Sequence, residues 1–203
     1  MRNSYCAMAL KHINLPKTNH LILALTLLTV TLFDGGGSII HGGYVQGAQA
    51  ASNTERAAMR YRKDVMPNAD SFSEKKGSPP VFEAYRRDPA SGEDELIGYL
   101  IYSPDYPPEP NGYSGPIKVL VGMDLEGMIT GVKVIFYRES LRYSSGDFLE
   151  EPGIESQFIG MSARDRFRVG KEVDGLSRAT ISMRAMSRTI RNSVRHVARA
   201  YLQ

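Results

Sequence analysis

Ile117-Lys118-Val119-Leu120-Val121-Gly122-Met123-Asp124 is followed by Leu125-Glu126-Gly127-Met128 and then by Ile129-Thr130-Gly131-Val132-Lys133-Val134-Ile135-Phe136-Tyr137. Two runs rich in β-branched residues flank a short turn of acidic residues and glycine, which is the pattern of an antiparallel hairpin. Upstream, Val81-Phe82-Glu83-Ala84-Tyr85 and Leu96-Ile97-Gly98-Tyr99-Leu100-Ile101-Tyr102 read as a second pair of strands, joined through the turn cluster Asp88-Pro89-Ala90-Ser91-Gly92. Downstream, Met183, Met186, Ile190, Val194, Val197 and Tyr201 recur at steps of three and four between Ser182 and Leu202. That spacing puts them on one face of a long helix. The expected class is α+β, a single small domain with an antiparallel sheet packed against a long C-terminal helix.

The remaining segments fill in around that plan. Asn53 to Met66 predicts a short helix, capped by Asn53 or Thr54, stopped before Pro67 and packed on the sheet edge. Asp70 to Pro80 reads as a surface loop, and Phe148 to Gly160 as another helix. Asp105 to Gly115 holds Pro107, Pro108 and Pro110 with Gly112 and Gly115, so a stiff loop is expected there. Its Tyr106 and Tyr113 either pin that loop to the sheet or offer a flat aromatic face to a conjugated ligand.

Composition excludes several function classes. The chain has 203 residues and a formal charge of +3, and the first 50 residues carry Arg2, Lys11 and Lys17 against Asp34. Residues 51–203 are therefore nearly neutral, which argues against nucleic acid as a partner. Cys6 is the single cysteine, and His196 is the one histidine beyond residue 50. Thiolate clusters and histidine-rich metal centres are thereby disfavoured.

Residues 1–50 read as a signal peptide or an N-terminal membrane anchor, leaving 51–203 as the folded domain. Residues 21–33 are apolar, follow basic residues and precede Asp34 and three glycines. A bilayer crossing takes about 20 apolar residues, so the run better suits a signal-peptide core. Ala48-Gln49-Ala50 offers a small-x-small cleavage pattern before Ala51. Export to the periplasm is expected, with an anchor in the inner membrane as the variant in which the leader is kept.

Between the sheet and the last helix lies Asp174-Gly175-Leu176-Ser177-Arg178-Ala179-Thr180-Ile181-Ser182. Hydroxyl residues at a helix start serve as ordinary caps. They also suit a phosphate, because a helix N-terminus presents unpaired N–H groups and a partial positive charge. Asp-x-x-Ser-x-Ala-Thr-x-Ser resembles the flavinylation signature of the FMN-binding domain family. A strand ending Gly122-Met123-Asp124, a glycine turn and Ile129-Thr130-Gly131 are similar to the same family, and Glu139 falls at its glutamate position. The loop Gly112-Tyr113-Ser114-Gly115-Pro116 brings the resemblance nearest to the periplasmic FMN-binding portion of NosR/NirI-type regulators. Arg178 stands where the family has glycine, and Tyr137-Arg138-Glu139-Ser140 stands where it has a histidine-containing segment.

The resemblance implies FMN bound through a phosphoester to Thr180, with Asp174, Ser177, Ala179 and Ser182 completing the segment read by a flavin transferase. It implies an electron-transfer flavoprotein with a membrane or periplasmic redox partner rather than a substrate-turnover enzyme. Two other readings stay open: FMN held without a covalent bond, and a non-redox accessory or sensory module that has lost flavin and binds a partner protein. Arg184, Arg188, Arg191, Arg195 and Arg199 form a stripe beside the apolar face of the last helix. It reads as a solvated face, or as a contact for anionic membrane lipid or an acidic partner protein.

Overall fold

The computed structural model describes residues 53–202. The leader, its cleavage position and Cys6 lie outside the described residues. Five strands, β1 (Ser71–Phe72), β2 (Phe82–Arg87), β3 (Asp94–Tyr102), β4 (Lys118–Asp124) and β5 (Ile129–Phe136), form one sheet in the order β1-β2-β3-β4-β5. Every neighbouring pair is antiparallel. Both expected hairpins are present, and Gly122 of β4 lies opposite Gly131 of β5.

Alternate residues of a strand point to opposite faces, and here each set meets its own layer. Tyr99, Ile101, Val119, Val121 and Met123 pack into one core with Met183, Met186, Ile190, Val194 and Val197 of the C-terminal helix, Thr180–Tyr201. Those five helix residues are fully buried, each contributing roughly 1.5–3 kcal/mol. Leu100, Tyr102 and Leu120 point the other way, into a second core with Phe82, Ala84, Ala58, Val65 and Met66. The sheet is thus covered on both faces. This explains why Val119-Leu120-Val121 is continuously apolar rather than alternating.

The second layer departs from the sequence expectation. Residues 53–65 are helical, with a 3-10 turn at Met59–Tyr61, and the helical part ends before Pro67 as expected. This segment seats on the face of β4 and β5 rather than along the rim of the sheet. A Cβ on Gly122 would come within 2.2 Å of the Val65 carbonyl oxygen, and one on Gly131 within 2.5 Å of the Val65 Cα. The glycine pair makes a saddle for the chain, and Thr130 Oγ1 donates to the Val65 carbonyl at 2.6 Å.

Two other expectations are revised. The loop from Asp70 to Pro80 contains β1, whose two residues pair with Tyr85 and Ala84. Phe148 to Gly160 is two short pieces, Pro152–Glu155 and a 3-10 turn at Ser156–Phe158, rather than one helix. Glu155 explains where the first piece sits: its carboxylate accepts from the Val134 N–H at 2.8 Å and from Lys133 at 3.0 Å, holding it to β5. No helix among the described residues is long and apolar enough to cross a membrane.

Candidate functional site

The first intrahelical hydrogen bond of the C-terminal helix runs from the Met183 N–H to the Ala179 carbonyl at 2.9 Å. The N–H groups of Thr180, Ile181 and Ser182 therefore precede the ladder and have no helical acceptor. Ala179 occupies the cap position, and no side chain makes a capping hydrogen bond. The hydroxyls of this turn are thus not spent as ordinary caps. Arg178, just before, has φ +68°. Left-handed backbone costs a residue with a Cβ about 1–2 kcal/mol, which is why glycine favours such positions. The arginine keeps the backbone conformation that the family's glycine would adopt freely.

Opposite this turn, Glu139 is 3% exposed. Its carboxylate accepts from Ser182 Oγ at 2.9 Å, from the Tyr113 N–H at 3.2 Å and from the Ser114 N–H at 3.3 Å. Three segments are joined there: the proline-rich loop, the stretch after β5 and the helix start. Gly112 lets the loop approach, since a Cβ on it would lie 2.2 Å from Glu139 Oε1.

Between these segments opens a cavity of about 470 Å3 lined by Tyr113, Glu139, Ser140, Arg178, Thr180 and Ser182, among others. That lies within the roughly 300–1,000 Å3 range of small-molecule sites. Thr180 is exposed at its wall and Tyr113 is 70% exposed. The two tyrosines of the proline-rich loop thus divide the roles anticipated for them. Tyr106 is buried, its hydroxyl donating to the Pro80 carbonyl, so it pins the loop. Tyr113 offers its ring at the cavity.

Of the five residues expected to form the site, the structure brings Thr180 and Ser182 to the cavity. Ala179 turns into the main core. Asp174 and Ser177 are exposed and do not line the cavity; the Asp174 N–H donates to Gln157 Oε1 at 2.6 Å, which holds the turn against the preceding short helices. Glu139, Ser140, Ser144 and Arg178 are polar wall residues outside the expected set. The position of Glu139 in the family pattern was the one sequence feature that pointed to it.

A larger cavity, about 540 Å3, lies along the helix toward Arg195, Arg199 and Leu202. Thr180 and Arg195 are about 22 Å apart at 1.5 Å of rise per residue. Size alone would select that cavity, but the hydroxyls, the unpaired N–H groups and the arginine all converge on the smaller one.

Residues 112–195 match the model of the FMN-binding domain. Over that segment the chain is similar to the FMN-binding domain family. The match indicates FMN as the cofactor and spans every wall residue named above. The chain is also 33% identical over 114 residues to a Vibrio atlanticus protein described as part of an ion-translocating oxidoreductase complex, covering 53% of this chain and 52% of the relative. Proteins of the same description from Shewanella baltica and Pseudomonas aeruginosa are 32% and 31% identical over 92 and 96 residues. These cover 42% and 43% of this chain, and 43% and 44% of the relatives. The chain spans about half the length of the curated relatives it matches. Their description differs from the NosR/NirI regulators that the sequence resembles.

The wall residues fit FMN. The group combines an anionic phosphate with a flat conjugated ring. The cavity wall offers the free N–H groups of the helix start, a guanidinium and an aromatic ring.

Proposed function

We propose that the chain is an exported flavoprotein carrying FMN on Thr180 through a phosphoester bond and passing electrons within a membrane-associated, multi-subunit redox chain. The observation that carries the reading is the position of Thr180, a hydroxyl in the first turn of a 22-residue helix, unused in capping and open to the cavity. A phosphate there meets the N–H groups and partial positive charge of the helix end. Arg178 supplies a guanidinium whose planar fork matches phosphate oxygens. The Ser182 hydroxyl adds no donor to the phosphate while its proton is committed to Glu139. Asp174 and Ser177, exposed on the outer side of the turn, are the part a flavin transferase would grip. The relatives' description as members of an ion-translocating oxidoreductase complex supports electron transfer and redox partners in a membrane.

When bound, the isoalloxazine ring supplies the redox chemistry, and the protein contributes attachment, orientation and exclusion of water. Tyr113, Leu141 and Ile181 supply the apolar part of the cavity wall. Arg178 raises the alternative of an accessory module without flavin, but its φ of +68° is a conformation glycine adopts freely, so the exchange leaves the backbone of the turn within reach of the family's glycine.

The test is the intact mass and in-gel flavin fluorescence of the chain co-produced with a flavin transferase, beside Thr180→Val. An FMN adduct in the parent and none in the variant is the expected result. Yellow colour released into the supernatant by acid would mean non-covalent FMN. An active transferase that leaves the parent without any flavin would replace this reading with the accessory module.

A further inference from the structure

The loop Ala163–Lys171 runs beside the C-terminal helix and is fastened to it at two points. Ser187 Oγ donates to the Phe167 carbonyl at 2.6 Å, and Arg195 donates to the carbonyls of Ala163 at 3.1 Å and Asp165 at 2.7 Å. Phe167 is 4% exposed and takes φ +54°, so the chain bends there to bury the ring. Arg195 is thereby removed from the free arginine stripe and becomes a latch. The bend leaves Arg166, Arg168 and Lys171 facing Arg184, Arg188 and Arg191 across a cleft of about 310 Å3.

Of these six cations, Arg168 is paired, with Glu172 at 2.9 Å, and the Glu172 carboxyl is held down to about 2 by that arginine. The others have no ion pair among the described residues. Burial, together with the charges of Arg195 and Arg188, lowers the Arg191 proton affinity, as expected where positive charge is uncompensated. Like charges gathered in one cleft on a nearly neutral domain repel one another and focus the field outward.

We propose that this cleft is a docking surface for a carboxylate-rich segment of a partner protein. Guanidinium groups pair with carboxylates through two parallel hydrogen bonds, and a concave wall of them receives side chains rather than a flat surface. A lipid-facing surface needs apolar side chains to insert beside its charges. The exposed large apolar residues are Tyr61, Tyr113, Leu125, Phe136, Tyr143, Ile159 and Ile181, and none lines the cleft. Arg184 follows Thr180 by one helical turn, so a partner seated here would stand beside the cavity, although the docking itself does not depend on flavin.

The experiment uses the full chain, without flavin, and a fluorescein-labelled poly-glutamate peptide read by fluorescence anisotropy. Binding should weaken with rising salt. Arg184→Glu combined with Arg188→Glu should weaken it about tenfold, the size expected for reversing two exposed charge contacts. Arg56→Glu combined with Arg60→Glu makes the same change of net charge on the opposite layer and should weaken it less than about twofold. Equal losses in the two variants, or no binding by the parent, would overturn the proposal. So would tighter binding, through Arg184 and Arg188, to mixed phosphatidylglycerol–phosphatidylcholine vesicles than to the peptide, measured against pure phosphatidylcholine. All three proteins are compared by thermal melting, and Arg184→Gln with Arg188→Gln replaces the reversal if it melts early.

Discussion

The two ends of the C-terminal helix are built differently. The far end is fastened by its own side chains: Tyr201 donates to the Pro79 carbonyl at 2.6 Å, its ring lies 5.1 Å from that of Tyr99, and Leu202 lies beside Gly127. At the near end the local rules are broken. The cap is an alanine, an arginine holds left-handed backbone, a carboxylate is buried among three donors, and a threonine and a tyrosine stand open to a cavity. A sequence that satisfies local preferences at one end and violates them at the other singles out the second as the candidate site.

The largest expected effect comes from breaking the near end. Glu139→Ala leaves two backbone N–H groups and the Ser182 hydroxyl without their acceptor, at a cost of about 2–3 kcal/mol. For a chain of this size that lowers Tm by roughly 4–12 °C, read by calorimetry. Flavin incorporation should fall with it, because the walls of the cavity lose their common anchor.

Tyr201→Phe probes the fastened end. Losing its hydrogen bond should cost about 1 kcal/mol in denaturant unfolding and leave FMN incorporation unchanged. A loss of flavin in this variant would show that the two ends are not independent.

Arg178→Gly removes the left-handed strain, a gain offset by the greater freedom glycine has in the unfolded chain, so stability should move by less than about 1 kcal/mol. Its sharper readout is the flavinylation rate. If Arg178 holds the phosphate, the glycine variant is modified more slowly at low flavin supply despite its freer backbone.

The smallest effect is expected at Glu109, on the loop that leads to Tyr113. Burial raises its carboxyl above the ordinary range, more than the nearby Lys118 lowers it. The folded state therefore binds the proton more tightly than the unfolded state, and stability from this group is present at acid pH and lost as pH rises through the raised value. Glu109→Gln should remove that decline and stabilise the protein at pH 7 by no more than about 1 kcal/mol, with little change at about pH 4. Unfolding curves at the two pH values check it.

How much of this was legible in sequence depends on where the information lies. The β4–β5 hairpin and the C-terminal helix were legible because their periods are written into consecutive residues. β1 was not, since its two residues owe their extended form to pairing with β2 rather than to their own preferences. The seat of the N-terminal helical segment was also hidden. Gly122 and Gly131 read as ordinary strand residues until their register brings them opposite each other. At the site, the motif pointed to Thr180 and Ser182, which lie on the cavity wall, and equally to Asp174 and Ser177, which do not line it. The motif did not show Glu139 as the acceptor binding three segments, because that needs contacts across 25 to 43 residues of chain. The basic cleft was half legible: the helix arginines have a visible period, while Arg166 and Lys171 join them only through the bend at Phe167.

The strand order has one further consequence, for the unit in which this protein can be cut and handled. The family-matched stretch, 112–195, contains β4, β5 and most of the last helix. In the sheet, β4 has β3 on its other side, and its Leu120 lies under the layer that carries Val65 and Met66. A fragment trimmed to the matched residues would therefore expose the free edge of a central strand and a bare apolar face, a template for aggregation. The boundaries that relatives share and the boundaries at which the chain becomes self-sufficient are different, and the second begin on the far side of the sheet, with the helical turns that rest on two glycines.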